Sequence, residues 1–511
     1  MNYQQILAML GFVLLALVVS PQLQAAEIRV GITSDVLTMD PADFRDRETE
    51  TVLRNIYDGL ITRDNAMHLH GELVRTWKRE DFQSYLFRIK TGVKFHDGSL
   101  MTAEDIRFTF QRMIDADGLN GRSSPRKSLL GPLDAVEIVD EHTLRFRFSA
   151  PHPIFPAMLP FQMVVSKKYV TGANPEALET QAIGTGPFKL KKWTRGKSII
   201  LERFDGYYGG STNIPPVGAA CVERVTFYVI PSPRDRLQML LTGKLEIATD
   251  LPHEAQASLR NNRHAMVAPI HGTRSFFVAL NNSQAPFNNP LVRRAANHAL
   301  DRRTLINKLL VGNARPINGV LSPSAFGFNP ELPSYDHNPA RARALLKQAG
   351  YRQEKPLSFE ISKGEEMIGR AIAKMLTTAG MTTRVVVREA TELKKIWRNR
   401  QKSRGHMWLT SWGNGSLDPT GIFEPTLGTN GRGNSAGYSN PEVDRLLASA
   451  STEENRGKRA ALYQSAEKIV QQDAPWIFLW IPQEIYGVSR RVKGWRPRPD
   501  GRINLHDACL E

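Results

Sequence analysis

Hydrophobic and polar residues alternate in several short segments of the chain, and this alternation predicts half-buried β-strands. Residues 28–32 (IRVGI) show it immediately after a small-residue segment, and Tyr85–Lys90 and Thr143–Phe148 repeat it. A more continuous apolar run at Val225–Ile230 predicts a buried strand, and a further strand is predicted at Phe276–Leu280.

Between these strands, apolar residues recur at helical spacing behind recognisable start signals. Residues 102–114 begin with Thr-Ala-Glu-Asp, which resembles a capping box, and continue with apolar residues on one helical face. Further helices are predicted at Pro290–Leu300, at Asn338–Gly350 and after Asn440, the last two opened by an Asn-Pro step. Because short capped helices alternate with strands in two successive parts of the chain, we predict an α/β protein with two lobes.

The first residues predict export. Ile6–Ser20 is an apolar run of signal-peptide length, and small residues precede Glu27. We therefore expect residues 1–26 to be a signal peptide that is cleaved near Ala26, and a Gram-negative periplasm as the destination. The segment MNYQQ before the run has no Lys or Arg, so an uncleaved N-terminal anchor is the alternative. No other stretch approaches the ~20 apolar residues that a membrane span needs.

Composition excludes several classes of protein. A length of 511 residues corresponds to roughly three folding units, and 41% hydrophobic with 23% charged residues is ordinary for a globular protein. The chain has 67 Lys and Arg against 51 Asp and Glu, a net charge of +16. Because these basic residues are scattered rather than grouped in runs, we expect a basic surface and no nucleic-acid partner.

Two motifs are typical of enzymes or metal sites, but the residues around each of them do not support that function. Gly433-Asn-Ser-Ala-Gly437 matches the nucleophile elbow of serine hydrolases, but a Gly-rich segment precedes it where a buried strand is required. His68 and His70 could ligate a metal, but no third ligand lies at a suitable spacing. We therefore expect no catalytic residues, no metal and no cofactor.

Aromatic residues give a better indication of a binding site. Trp412 stands where an apolar strand, Met407–Trp412, meets a polar, Gly-rich loop. A rigid ring beside flexible backbone suits a small-molecule cleft, although Trp408 as core and Trp412 as its cap is an equally simple interpretation. Trp476 and Trp480 lie in an apolar run and are expected in the core.

Several segments, in the same order along the chain, resemble those of the periplasmic solute-binding proteins of the peptide, nickel and opine class of ABC importers, known as extracellular solute-binding protein family 5. The resembling segments are residues 37–41 (LTMDP), 55–60 (NIYDGL), 92–98 (GVKFHDG), 102–106 (TAEDI), 184–188 (GTGPF), 292–302 (VRRAANHALDR), 340–350 and 437–444 (GYSNPEVD).

The resemblance implies a two-lobe periplasmic-binding-protein fold with an extra subdomain inserted in the first lobe. Lobe one would comprise residues 27–57, 184–268 and 486–511; the inserted subdomain would be residues 58–183, and lobe two residues 269–485. Ligand would be held between the lobes, and closing them would bury it. No covalent chemistry is implied.

The same resemblance places the loop after Trp412 at the cleft. Trp412 would stack on the ligand, Asp418 would orient the loop or contact the ligand, and Met39 would line the opposing wall. The ligand-binding residues implied in this way are Trp412, Gly413, Asn414, Gly415, Asp418 and Met39.

The chain departs from the dipeptide binders of this family. Gly415 stands where they carry an aspartate for the peptide's ammonium group, and Glu366 and Met367 stand where they carry an arginine for its carboxylate. The nearest arginine is Arg370. A buried ion pair is costly to leave half made, so these differences disfavour a generic dipeptide specificity.

The function implied is the substrate-binding component of an ABC importer. We expect a monomer that captures a peptide or peptide-like solute and delivers it to permease subunits in the inner membrane, driven by a cytoplasmic ATPase. An opine, a modified sugar or a metal chelate is the alternative ligand, and a secreted hydrolase is a distant alternative function.

The two cysteines, Cys221 and Cys509, allow two interpretations in an oxidising compartment. They either form a disulfide or remain separate buried thiols. The family layout places both in lobe one, and on that ground we predict a Cys221–Cys509 disulfide.

Overall fold

The computed structural model of the chain describes residues 26–172, 177–389, 392–393 and 405–511. The expected signal peptide, residues 1–26, lies outside these ranges except for Ala26. Within the described ranges, no helix is both long and apolar enough to cross a membrane.

Strands and helices alternate along most of the chain. The strands are β1 (Glu27–Ile32), β2 (Ile61–Arg63), β3 (Leu69–Gly71), β4 (Val74–Asp81), β5 (Ser84–Ile89), β6 (Leu133–Asp140), β7 (Thr143–Phe148), β8 (Phe188–Thr194), β9 (Ser198–Arg203), β10 (Arg224–Val229), β11 (Ile247–Ala248), β12 (Ala265–His271), β13 (Arg274–Leu280), β14 (Ala314–Pro316), β15 (Leu357–Ser362), β16 (Thr383–Arg388), β17 (Met407–Gly413), β18 (Trp476–Ser489), β19 (Val492–Lys493) and β20 (Cys509–Leu510). The α-helices are α1 (Arg47–Leu53), α2 (Ala103–Ile114), α3 (Phe155–Met158), α4 (Lys167–Gly172), α5 (Pro233–Leu241), α6 (Ala255–Arg260), α7 (Pro290–His298), α8 (Arg302–Leu309), α9 (Pro339–Gln348), α10 (Glu366–Thr378), α11 (Phe423–Leu427), α12 (Pro441–Thr452) and α13 (Arg456–Asp473).

A 12-stranded mixed sheet connects both lobes of the molecule. Its order is β16-β15-β17-β13-β18-β11-β1-β10-β9-β8, and β12 and β14 also pair with β18. β1 is parallel to β10 and β11, and β15 is parallel to β16 and β17. We refer to the part built on β1 and β8–β12 as lobe one and to the part built on β13–β17 as lobe two.

Two stretches of chain pass from one lobe to the other within this sheet. The first half of β18 pairs with β13 and β14, whereas its second half, from Gln483 onwards, pairs with β12 and β11. The second passage is Gly272-Thr273, between β12 and β13. The sequence-based boundaries at 268/269 and 485/486 therefore fall inside β12 and inside β18.

A separate antiparallel sheet, in the order β4-β5-β7-β6, lies beside lobe one. α2 packs on it, and a capping box formed by Thr102 and Asp105 begins this helix. Aromatic rings hold the two layers together, with the centroid of Phe146 4.9 Å from that of Phe87 and 4.8 Å from that of Phe110. We refer to β4–β7 with α2 as the inserted subdomain.

Lobe two buries apolar side chains on both faces of its sheet. Trp480 packs in one core with residues of α7 and α10, whereas Trp408 and Trp476 pack in the other with residues of α12 and α13. Each large apolar side chain buried in this way stabilises the fold by about 1.5–3 kcal/mol. The expectation that Trp408, Trp476 and Trp480 belong to the core agrees with these positions.

The C-terminal segment returns to lobe one and is fastened there. β20 pairs with β19, and Cys509 is joined to Cys221 in a disulfide with a Cα–Cα distance of 5.2 Å. The cross-link spans a sequence separation of 288 residues.

Candidate ligand-binding site

A cavity of about 620 Å³ lies between residues of lobe one, the neighbouring loops of the inserted subdomain, and lobe two. Lobe one contributes residues around the start of α1 and around Asp500. The segments 126–131 and 152–161 form the second part of the wall, and lobe two contributes Arg274 and the residues that follow β17.

Four of the six residues expected to contact ligand line this cavity. They are Trp412, Gly413, Asn414 and Gly415, which follow one another at the end of β17. The half-buried indole of Trp412 is fixed from two sides, since its Nε1–H donates to the Gly421 carbonyl at 2.8 Å and the Arg432 guanidinium lies 4.9 Å from its ring centroid.

The loop after Trp412 is tied to the passage between the lobes. The Asn414 amide N–H donates to the Thr273 carbonyl at 3.1 Å. Gly413 gives space to the side chain of Arg274, because a Cβ at this position would lie 3.1 Å from Arg274 Nη2. The Asn414 side chain accepts from the Ser416 hydroxyl at 2.9 Å, while its Nδ2 is buried without a hydrogen-bond partner.

Asp418 does not line the cavity and instead anchors the loop. Its carboxylate accepts two hydrogen bonds of 2.8 Å from Arg459, and it also accepts from the Thr420 amide at 3.1 Å and hydroxyl at 2.8 Å. The expected role in orienting the loop fits this position, whereas direct ligand contact does not. The buried ion pair with Arg459 on α13 occupies the carboxylate.

Met39 is also absent from the cavity wall. Its side chain is 0% exposed and packs in the core of lobe one, and its carbonyl accepts from the Tyr57 hydroxyl at 3.2 Å. The assignment of Met39 to the opposing wall is therefore wrong. The Thr-Met-Asp-Pro segment turns this side chain inward, and the opposing wall is formed by residues a few positions later.

Those residues include arginines that the sequence did not single out. Of the described residues, six arginines line the cavity: Arg45, Arg47, Arg126 and Arg502 on this wall, and Arg274 and Arg432 on the lobe two wall. Arg47 donates to both oxygens of Glu484 at 2.9 Å, and Arg502 pairs with Glu50 at 2.9 Å and Asp500 at 3.1 Å. They were missed because arginines scattered along a basic chain do not form a motif, although Arg45-Asp-Arg47 directly before a helix is a local concentration of charge.

Three of these arginines form no ion pair with any carboxylate of the described residues: Arg45, Arg126 and Arg274. Burial lowers the pKa of Arg126 to about 10, and repulsion from Arg45 acts in the same direction. Loss of solvent around the guanidinium lowers the pKa of Arg45, and repulsion from Arg432 acts in the same direction. The pKa of Arg274 is lowered in the same way, by loss of solvent and by repulsion from Arg47. Arg126 is buried and Arg274 half-buried without the ion-pair partner that normally accompanies burial, whereas Arg45 is exposed at the edge of the cavity. The Glu50 carboxylate opposes the lowering of the pKa of Arg126 and of Arg45.

Acidic residues line the cavity as well. Asp46 Oδ1 accepts from the Thr49 amide at 2.8 Å and caps α1, while Asp46 Oδ2 is buried without a partner. Glu50 Oε1 is buried without a partner too, although its other oxygen binds Arg502. Surrounding protein and repulsion from Asp418 raise the pKa of Glu424 to about 7.

The two motifs rejected on sequence context have structural roles. His68 and His70 both contact Asp64 Oδ2, at 3.3 and 3.0 Å, and no group of three potential metal ligands occurs in the part of the chain that the structure describes. Residues 433–437 lie in turns, and the next helix, α12, begins only at Pro441.

Comparison with known proteins gives a consistent result. The family described as "Bacterial extracellular solute-binding proteins, family 5 Middle" matches residues 68–434. The glutathione-binding protein GsiB of Pectobacterium atrosepticum is 27% identical over 507 residues, which cover 97% of this chain and 96% of that protein.

Solved structures share the fold over nearly the whole chain. DppA from Helicobacter pylori, solved with the peptide STSA, is 25% identical with a TM-score of 0.78, over 95% of this chain and 99% of that one. HbpA2 from Haemophilus parasuis is 23% identical with a TM-score of 0.83, over 95% of this chain and 100% of that one. The predicted two-lobe α/β fold with an inserted subdomain is confirmed, and the chain belongs to family 5 of the bacterial extracellular solute-binding proteins.

Proposed function

We propose that this protein captures a short peptide or a peptide-like solute between its two lobes and delivers it to the permease of an ABC importer. The observation that carries this proposal is the 620 Å³ cavity, which has the Trp412 loop on one side and charged residues of lobe one on the other. Small-molecule sites commonly enclose about 300–1,000 Å³. The relatives named for glutathione and for peptides support the same class of ligand.

The groups around the cavity suit reversible binding. They offer an indole ring for stacking, amides for hydrogen bonds and guanidinium groups for acids. We propose no catalytic step. The protein would act as an exported monomer in the periplasm, and its partners would be the permease subunits in the inner membrane and their cytoplasmic ATPase.

Closure of the lobes would couple binding to delivery. Within the described residues, the chain passes between the lobes at Gly272-Thr273 and in β18, so a small rotation there would open the cavity. The Asn414–Thr273 hydrogen bond ties the ligand loop to this pivot. Contacts that bridge the cleft would break on opening. Among the described residues they include the hydrogen bond of 2.8 Å from Arg63 Nη2 to the Ser416 carbonyl and the ion pair of 2.5 Å between Arg79 and Glu454.

Calorimetric titration of the mature protein with glutathione and with di-, tri- and tetrapeptides tests the proposal. Replacing Trp412 with Ala should weaken binding of whichever peptide binds by about 2 kcal/mol or more, because the ring would be a buried anchor. Trp193→Ala in β8 is the matched control, since this half-buried indole also donates a hydrogen bond, to Asp35 at 3.0 Å, and also lies beside an arginine.

Unchanged binding by folded Trp412→Ala would refute the proposed site. An opine, a modified sugar and a nickel–histidine complex complete the titration panel. Tight binding of one of these, with no binding of any peptide, would replace the proposed ligand class by that alternative.

A further inference from the structure

The cavity holds more positive charge than its own carboxylates neutralise. Arg45, Arg126 and Arg274 line it, and none of them forms an ion pair with a carboxylate in the described ranges. Arg126 is buried and Arg274 half-buried, and a cation in such a place without an ion-pair partner is costly, so a ligand that brings the counter-charge binds with a corresponding advantage. Arg45 is exposed and adds its charge at the edge of the cavity.

These arginines form two groups in different parts of the wall. Arg45 donates to the Pro125 carbonyl at 2.8 Å and to the Ser128 hydroxyl at 3.0 Å, on either side of Arg126 in the sequence. Arg126 itself is 1% exposed and lies 4.4 Å from the ring centroid of Phe44, the residue before Arg45. The first group is therefore Arg45 with Arg126.

Arg274 is the second group and belongs to lobe two. It begins β13, donates to the Ser411 hydroxyl at 3.3 Å and lies against Gly413. Arg45 and Arg126 are held instead by segments of the opposite wall, through Pro125, Ser128 and Phe44. The two groups thus offer two separate places for an acid.

Unpartnered polar atoms lie beside both groups. Asn414, only 3% exposed and next to Gly413, has a buried Nδ2 without a hydrogen-bond partner. Beside Arg45, the oxygens Asp46 Oδ2 and Glu50 Oε1 are also buried without partners. A carboxylate oxygen without a hydrogen-bond donor can accept from an ammonium group of a ligand, and the neighbouring arginine can bind a carboxylate of the same ligand.

We propose that the site selects short peptides or peptide-like solutes that carry two carboxylates and one ammonium group. Arg45 and Arg126 receive one carboxylate, Asp46 and Glu50 receive the ammonium, and Arg274 with the Asn414 amide receives the second carboxylate. This inference rests on the proposed function and narrows it. A peptide that lacks one of the two carboxylates would leave either the buried Arg126 or the half-buried Arg274 without an acid, so the same residues discriminate against it.

The test compares ligands that differ by one charge. Ala-Glu-Ala is titrated against Ala-Gln-Ala and the C-terminal amide of Ala-Glu-Ala, and glutathione against its glycyl ethyl ester. Loss of one carboxylate should weaken binding about tenfold or more, since a hydrogen bond to a charged group contributes about 1.5–3 kcal/mol.

Variants of the arginines test which residues cause the preference for a ligand with two carboxylates. Arg274→Gln and Arg45→Gln should each reduce the ratio between the dissociation constants of the neutralised and the acidic ligand, whereas damage to the fold would weaken both ligands alike. Arg445→Gln, an exposed arginine on α12 that pairs with Glu442, is the control and should leave the ratio unchanged.

The outcomes separate this inference from the function on which it rests. If the amide and ester forms bind as tightly as the acids, or if both cavity variants keep the wild-type ratio, the inference is wrong and the proposed function stands. If no peptide in the panel binds, the proposed function is wrong and the inference falls with it.

Discussion

The two walls of the cavity differ in chemistry and in how their positions are secured. The lobe two wall is formed by Trp412 and Gly413 at the end of β17, by Asn414 and Gly415 in the loop that follows, and by charged residues such as Arg274. The buried Asp418–Arg459 pair holds the loop. The opposing wall carries charges from segments far apart in the sequence, among them Arg45, Arg126 and Arg502. The lobe two wall thus adds shape and stacking to the charge of Arg274, whereas the opposing wall provides mainly charge, so a ligand must satisfy both to hold the lobes together.

If Trp412 belongs to the binding wall, Trp408 and Trp412, four residues apart on β17, must have separate roles in stability and in binding. Trp408 is 1% exposed in the core of lobe two, so Trp408→Ala should lower the free energy of unfolding by about 3–5 kcal/mol. Denaturant titration of both variants measures this. Equal losses of stability for Trp408→Ala and Trp412→Ala would make Trp412 a core residue and remove the ring from the binding wall.

The second prediction concerns the anchor of the same loop. Asp418→Asn leaves the Arg459 guanidinium buried without a counter-charge, which should cost about 3 kcal/mol of unfolding free energy. The cost should be at the low end for a broken buried pair, because Arg459 also donates to the Ala450 carbonyl at 3.0 Å and to the Tyr463 hydroxyl at 3.2 Å.

Arg445→Gln, in an exposed pair, is the control and should cost less than about 1 kcal/mol. Near-zero cost for Asp418→Asn in denaturant titration would mean that the loop does not depend on this pair.

The smallest effect is a pH dependence confined to the lobe two wall. The pKa of Glu424 is raised to about 7, so this carboxyl is largely neutral at pH 6 and negative at pH 8. An acidic ligand should therefore bind a few-fold more weakly at pH 8, and Glu424→Gln should remove the difference. The stability of the protein should change in the same direction. A carboxyl whose pKa is raised in the folded state lowers the free energy of unfolding as the pH rises through that pKa. Calorimetry at the two pH values decides it, and tighter binding at pH 8 would contradict it.

Local pattern was enough to predict several strands and helices of the fold. Thr143–Phe148 is β7, the Asn338-Pro339 step begins α9, and Gly350 has a φ of +63°, as expected after a helix end. Such features depend on neighbouring residues alone. The boundaries of the lobes depend instead on strand pairing across the whole chain, which is why two of them fell within β12 and β18.

The site was predictable only where its residues are contiguous. Trp412–Gly415 are consecutive residues at the end of β17, and a resembling segment of the family was enough to assign them to the cleft. Arg45, Arg126 and Arg274 come together only in the folded chain, and nothing in their local sequence distinguishes them from the other arginines. Met39 and Asp418 were assigned to the ligand site by resemblance. In the structure, Met39 packs in the core of lobe one, and Asp418 anchors the loop after β17 through Arg459.

The central claim is that ligand closes the two walls on each other, and a distance measured across the cleft tests it most directly. Spin labels on Phe82→Cys and Lys458→Cys would flank the Arg79–Glu454 contact from the inserted subdomain and from lobe two; both positions are exposed, and the native cysteines are joined in the disulfide. With glutathione or Ala-Glu-Ala, whichever binds more tightly, pulsed electron-spin resonance should give one short, narrow distance distribution. Without ligand the distribution should be longer and broader. Identical distributions with and without saturating ligand would contradict the account.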